Sequence, residues 1–148
     1  MTELERLCAF MDISQVKARY CRFLDAKDWD GFAGLFTADF VLDVSADSKM
    51  PPFEGRDAAL AFVKASLDGA RTAHQVHSPD MTFDAEGADV IWAMQDRIFW
   101  DVPKQHGLTG LTGYGHYHQR YVRQDGVWKI ARSRLTRLLL DVQRSGDA

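Results

Sequence analysis

The sequence predicts a single cone-shaped α+β domain, in which a strongly curved mixed sheet packs on about three helices. Helical apolar spacing dominates the first half of the chain. After Thr72 it gives way to four long strand candidates separated by turn residues. Helices grouped ahead of strands fit an α+β arrangement rather than a βαβ series. A chain of 148 residues, 46% hydrophobic and 26% charged, fits one globular domain spanning 1–148 and has enough apolar material for a core with a pocket in it.

Taken in order, Ile13, Val16, Tyr20, Phe23 and Leu24 recur at helical spacing, which predicts an amphipathic helix over Ile13–Asp25. Asp12 and Gln15 have the spacing of a capping box and set its expected start. Asp28 is placed to cap a short second helix, Trp29–Phe36, which ends near Thr37 and Asp39. Phe40–Val44 reads as a short strand, and Pro51-Pro52 breaks the chain behind it. Leu60, Phe62, Val63 and Leu67 predict a third helix over Asp57–Leu67. The strand candidates are Ala73–Asp84, Ala88–Asp101, Gly110–Arg123 and Val127–Val142, with turns at Glu86-Gly87, Gly107 and Asp125-Gly126. Antiparallel strands this long twist and coil, so the sheet is expected to curl around the helices and leave a cone.

A net charge of −3 with no clustered basic face argues against nucleic acid as a partner. No apolar run approaches the 18 or so residues of a membrane span, so the expectation is a cytoplasmic protein with no membrane partner. Cys8 and Cys21 form no C-x-x-C motif and read as buried thiols.

Residue by residue, Arg19-Tyr-Cys-Arg-Phe-Leu-Asp25, Asp28-Trp-Asp30, Phe36-Thr-Ala-Asp39, Glu54-Gly55, Thr72-Ala-His74-Gln75 and Asp125-Gly-Val-Trp-Lys-Ile130 follow one another in an order that resembles the SnoaL-like family of the NTF2-like superfamily. The resemblance covers nearly the whole chain and implies the cone fold with a pocket inside. That superfamily includes polyketide cyclases, scytalone dehydratase, bile-acid dehydratase, ketosteroid isomerase and hexachlorocyclohexane dehydrochlorinase, along with members that catalyse nothing. Fold is therefore implied more sharply than reaction. By analogy with such members a homo-oligomer, dimer or trimer, is also implied.

Asp25 and His74 occupy the places of the acid and histidine that pair in the dehydratase and dehydrochlorinase members. Imidazole would accept a carbon-bound proton, and the carboxylate would fix its tautomer. Read without the resemblance, Asp25 is a helix-ending polar residue and His74 a core histidine. Tyr20, five residues before Asp25 and about 140° away around a helix, is either a phenol donor or core packing. Asp96 shares strand parity with Val90, Trp92, Met94, Ile98 and Trp100, a face with no other charge. It therefore needs a partner or a raised pKa, as an acid of the site or in an ion pair with an arginine of the last strand.

On that last strand, regular alternation puts Arg132 and Arg134 on one face and Arg137 on the other, unless a bulge resets the parity. By position Arg137 best matches the family's substrate-facing arginine, with Arg134 next. His116 and His118 share a face, where one could line the pocket. Trp92 and other aromatics would supply its walls. With no further ligand at metal spacing among His77, His116 and His118, no metal and no cofactor are expected.

The resulting expectation is a cofactor-independent lyase or isomerase, dehydratase-like or cyclase-like, acting on an apolar, ring-containing small molecule. His74, Asp25, Tyr20, Asp96 and Arg137 would be its catalytic set, and Arg134, His116, His118 and Trp92 would touch substrate. The alternatives are a non-catalytic small-molecule-binding domain and the small structural subunit of a ring-hydroxylating dioxygenase.

Overall fold

The computed structural model describes residues 1–146, so the last two residues of the expected domain lie outside the described residues. The chain runs α1 (Glu3–Ala26), α2 (Trp29–Ala33), β1 (Phe36–Asp43), α3 (Ser45–Ser48), β2 (Phe53–Glu54), α4 (Arg56–Ser66), β3 (Ala70–Phe83), β4 (Gly87–Trp100), β5 (Leu108–Gln124) and β6 (Val127–Arg144). One mixed sheet, in the order β2-β1-β6-β5-β4-β3, carries all six strands. Among the described residues its only parallel pair is β1 with β6; the other neighbours are antiparallel. Among the described residues no helix is long and apolar enough to cross a membrane.

The first helix starts ten residues earlier than its apolar spacing indicates. Thr2 and Glu5 close the capping box: the Glu5 backbone N–H donates to Thr2 Oγ1 at 3.2 Å and the Thr2 N–H to Glu5 Oε2 at 2.6 Å. Asp12 consequently lies within the helix. The added turns carry Leu4, Leu7, Phe10 and Met11 on their exposed side, off the buried stripe of Ala9, Ile13, Val16, Lys17, Tyr20 and Leu24. Cys8 falls on the same exposed side and is no buried thiol, while Cys21 is half-buried.

At its far end α1 stops at Lys27, which takes the left-handed conformation (φ 59°) and turns the chain toward α2. Helix α2 ends at Ala33 rather than Phe36. Phe36 already pairs with Ile130, and the Ile130 N–H donates to Leu35 O at 2.9 Å, so the strand begins before the residues that read as its start.

On β4, Ala88, Val90, Trp92, Met94, Asp96, Ile98 and Trp100 are all buried and alternate with more exposed neighbours, as strand parity predicts. Strand β6 does not keep one parity. The register shifts where Arg120 pairs with Arg132 but Tyr121 with Ile130, which leaves Ala131 as an extra residue. A second shift, between Tyr114 and Gly115, leaves Leu138 as another. The first bulge brings Ser133, Leu135 and Arg137 to the concave face already held by Trp128 and Ile130, and sends Arg132 and Arg134 to the convex one.

Gly115 sits at the second bulge, where a Cβ would fall on the Thr136 carbonyl oxygen. Gly115→Ala should therefore destabilise the fold by about 1–3 kcal/mol, the cost of overpacking a tight site. A urea titration against the parent protein measures it, and no loss would mean that the bulge has slack.

Candidate functional site

The last turn of α1, the start of β3, the middle of β4 and the inward residues of β6 converge on one cavity of about 280 Å³. Leu24, Leu42, Phe62, Leu67, Ile98, Trp100 and Leu135 form most of its wall. Tyr20, His74, Asp96, Tyr117, Ser133, Asp47 and Arg137 bring polar atoms to it. A wider trough of about 600 Å³ lies between the first turns of α1 and the end of β3, but its walls, such as Glu3, Leu7 and Asp80, are largely exposed to solvent. Convergent polar groups in an otherwise apolar recess mark the smaller space as the candidate site.

Asp25 is the hub of its polar side. His74 Nδ1 lies 2.7 Å from Asp25 Oδ1, the His74 backbone N–H donates to Oδ2 at 2.9 Å, and the Thr72 hydroxyl donates to Oδ1 at 2.8 Å. Lys27 Nζ in turn donates to Thr72 Oγ1 at 2.8 Å and to the last-turn carbonyl of Leu24 at 3.3 Å. Burial pushes the Asp25 carboxyl up, but the hydrogen bonds from the His74 ring, the His74 backbone and Thr72 outweigh it and hold the group below the usual carboxylate range. The carboxylate is thus ionised at neutral pH. An ionised Asp25 requires a proton on His74 Nδ1, so in the neutral ring the lone pair is on Nε2; His74 lines the cavity.

A second carboxylate pair lies deeper. Arg137 binds Asp96 through both terminal nitrogens (Nη1 to Oδ1 2.6 Å, Nη2 to Oδ2 3.0 Å) and turns Nε and Nη2 to Asp47 on α3 at 2.8–3.2 Å. The parity reading of Asp96 asked for a partner, and this arginine of the last strand supplies it. Gly113 makes room for the pair, since a Cβ there would fall on Arg137 Nη1 and lie 2.5 Å from Asp96 Oδ1. Arg137 therefore meets the cavity with its charge already balanced by two carboxylates.

Tyr20 stands between cavity wall and core. It lines the cavity, and its ring packs on Phe32 and Tyr117 at centroid distances of 5.0 and 5.7 Å. The structure thus brings Tyr20, His74, Asp96 and Arg137 to the wall of one space, with Asp25 behind His74. It does not bring Arg134, His116, His118 or Trp92 there. The bulge at Ala131 turns Arg134 to the exposed convex face. His116 and His118 alternate to that same face, where His118 Nε2 contacts Thr136 Oγ1 at 3.0 Å. Trp92 points inward but is packed into the core below the cavity. Among the described residues no three His, Cys, Asp or Glu side chains gather to hold a metal ion.

Three residues absent from the sequence-based set matter here. Asp47 lies on a four-residue helix that carries no periodicity to read. Tyr117 shares strand parity with Gly113, Gly115 and Tyr121, and that alternation would have pointed it inward. Lys17 interrupts the apolar stripe Ile13, Tyr20, Leu24 at spacings of four, three and four, so a charge on the buried face was there to be noticed. It is fully buried, its Nζ has no hydrogen-bond partner, and burial pushes its pKa down to about 7.

Residues 5–134 match the family described as SnoaL-like domain. Among curated proteins, the chain is 28% identical over 137 residues to the probable cyclase FGR4 of Gibberella zeae, covering 85% of this chain and 89% of that one. Among solved structures, the Kfla4162 protein of Kribbella flavida superposes with a TM-score of 0.82 at 20% identity, over 92% of this chain and 95% of that one. The hexachlorocyclohexane dehydrochlorinase LinA-type3 of Novosphingobium barchaimii LL02 does so with 0.81 at 17% identity, over 98% and 96%. The last two likenesses, at these identities, concern the fold alone.

Removing one partner from the buried Arg137 pair should cost far more than removing the half-exposed one. Asp96→Asn is expected to lose about 3 kcal/mol and Asp47→Asn less than about 1 kcal/mol, in urea unfolding at neutral pH; equal losses would contradict the assigned burial. Lys17 works in the opposite sense. Its folded pKa lies below the usual 10.5, so the unfolded chain holds the proton more tightly and stability rises with pH between about 7 and 10.5. Lys17→Met should accordingly stabilise the protein by about 1–4 kcal/mol at pH 7, and the gain should shrink as the pH approaches 10.5.

Proposed function

The chain belongs to the SnoaL-like domain family, and from that premise we propose that it is a cofactor-independent lyase or isomerase acting on a neutral carbonyl compound with one or two rings. The observation that carries this reading is the 2.7 Å contact between His74 Nδ1 and an ionised Asp25 beside a cavity whose wall is mostly apolar. The probable cyclase among its relatives is consistent with proton abstraction from carbon.

His74 Nε2 takes a proton from the carbon next to the substrate carbonyl. Asp25 holds the ring in the tautomer that leaves Nε2 free and stabilises the imidazolium as it forms. The electron pair left on carbon moves to the carbonyl oxygen, which accepts a hydrogen bond from the Tyr20 phenol. Expulsion of a β-leaving group, return of the proton elsewhere or closure of a ring completes the dehydratase, isomerase or cyclase variants of the same opening step. Arg137, bound to Asp96 and Asp47, acts as a rigid wall of the site more than as a free cation.

Size narrows the substrate. A cavity of about 150 Å³ suffices for benzene, and about 280 Å³ is close to twice that. A molecule of one or two rings fits, with its carbonyl toward Tyr20 and its apolar edge against Phe62, Leu67 and Trp100.

The opening step is testable without knowing the natural product. Mono- and bicyclic ketones incubated with the protein in D2O should gain deuterium next to the carbonyl, read by proton NMR. His74→Ala and Asp25→Asn should abolish the exchange while changing unfolding free energy by no more than about 2 kcal/mol, the range of ordinary substitutions. Unchanged exchange in both variants would remove the mechanism.

A further inference from the structure

The proton-abstraction step leaves one costly feature of the site unused. Lys17 is a fully buried cation without a hydrogen-bond partner for Nζ, an arrangement that disfavours folding unless something offsets it. What surrounds it is aromatic. Nζ lies 3.8 Å from the centroid of the Tyr20 ring and 3.7 Å from that of Tyr117, so two phenol faces enclose it from α1 and β5. Both tyrosines line the cavity, and their rings stand 5.7 Å apart at 63° with the ammonium against each.

The interaction is reciprocal. A ring that stabilises a cation on its face is polarised by it, and electron density is drawn away from the phenol oxygen. Each O–H thereby becomes a stronger donor toward an oxygen that is gaining negative charge. Other charges near the pair oppose this. Burial first, then Cys21, Asp96 and Asp25, raise the cost of negative charge on Tyr20, against a hydrogen bond from Tyr117 that lowers it; on Tyr117 burial, Tyr20, Asp96 and Cys21 act in the same sense and Arg137 partly offsets them. Cys21, one turn beyond Lys17, favours the protonated amine, and its own thiol is pushed up by burial. Lys17 is thus the cation in direct contact with both phenols.

We propose that Lys17 is a positioning residue whose ammonium, wedged between Tyr20 and Tyr117, strengthens a relay in which the Tyr117 hydroxyl donates to Tyr20 and the Tyr20 hydroxyl donates to the substrate oxygen on which charge develops. This rests on the proton-abstraction reading above and adds Tyr117 to the site. It also defines the substrate further. Asp96 and Asp47 outnumber Arg137 in the cavity wall, so a neutral carbonyl compound enters more readily than a carboxylate, and its anionic character is accepted only as the enolate forms. The proton passes from carbon to His74 Nε2 and the electron pair to the substrate oxygen; the tyrosines keep their protons and Lys17 exchanges none.

The test follows the tyrosines directly. Protein labelled with 13C at tyrosine Cζ is titrated from pH 5 to 9, with Tyr20→Phe and Tyr117→Phe assigning the two resonances. Tyr20 and Tyr117 should move together with one inflection near neutral pH, Tyr121 should stay still, and Lys17→Met should abolish the inflection. Absence of a shared inflection in the wild-type protein, or its persistence in Lys17→Met, overturns the proposal. Should Lys17→Met fail to fold, 13Cε-lysine labelling of the wild type decides instead: a Lys17 midpoint matching that of the tyrosines supports the proposal, and a different midpoint overturns it.

p-Nitrophenol, whose anion mimics an enolate oxygen on a ring, supplies the functional arm. Lys17→Met should weaken binding of the anion at least tenfold and leave nitrobenzene binding unchanged; equal losses for both ligands, or none for either, overturn the role. If no ketone exchanges in D2O while the anion still depends on Lys17, the lyase reading fails and the Lys17 inference stands. If exchange is catalysed and Lys17→Met matches the wild-type rate and pH profile, the Lys17 inference alone fails.

Discussion

The Asp25 carboxylate joins the end of the first helix to the start of the long sheet. Its two oxygens receive the Thr72 hydroxyl, the His74 backbone N–H and the His74 ring, so one side chain fixes where β3 begins relative to α1 and also how the imidazole is turned. Lys27 extends the same chain of contacts to the helix C-terminus by bridging Thr72 and the Leu24 carbonyl. A left-handed residue at the helix end makes that geometry available, because it brings the lysine back over the last turn. The orientation of the His74 imidazole is thus a by-product of how the helix is terminated.

The other side of the cavity is organised by irregularity. Two extra residues in β6, Ala131 and Leu138, bracket the inward run of Ser133, Leu135 and Arg137. Bulges bend and twist a strand as well as changing its parity, so the same defects that curl the sheet also aim Arg137 at Asp96. Glycines at 113 and 115 permit it: one clears space for the ion pair and the other for the backbone of β6. With Asp47 of α3 completing the arrangement, the carboxylates of two separate elements converge on a single guanidinium, and the cavity wall formed there is rigid.

Much of this was legible from residue order. The alternation on β4 pointed Asp96 inward among apolar neighbours and required a partner for it, and the long strands implied a curled sheet. The motif order around Asp25 and His74 placed those two together by family likeness. What escaped was of two physical kinds. Parity cannot be carried through a strand whose bulges are specified by backbone packing, so Arg134 was expected toward the cavity and lies on the convex face. Periodicity sees only buried stripes, so the first two turns of α1, whose Leu4, Leu7, Phe10 and Met11 face outward, went unread although Thr2 and Glu5 spelled a capping box. His116 and His118 illustrate a third limit: sharing a face says nothing about which face, and theirs is the outer one.

The central claim is that Asp25 holds the neutral His74 ring in the tautomer with its proton on Nδ1 and its lone pair on Nε2. Nitrogen-15 NMR of the imidazole ring measures this directly. The account predicts Nδ1–H as the tautomer of the neutral His74 ring, with the preference weakened in Asp25→Asn. A His74 that carries its proton on Nε2, or that is indifferent to Asp25, would contradict it.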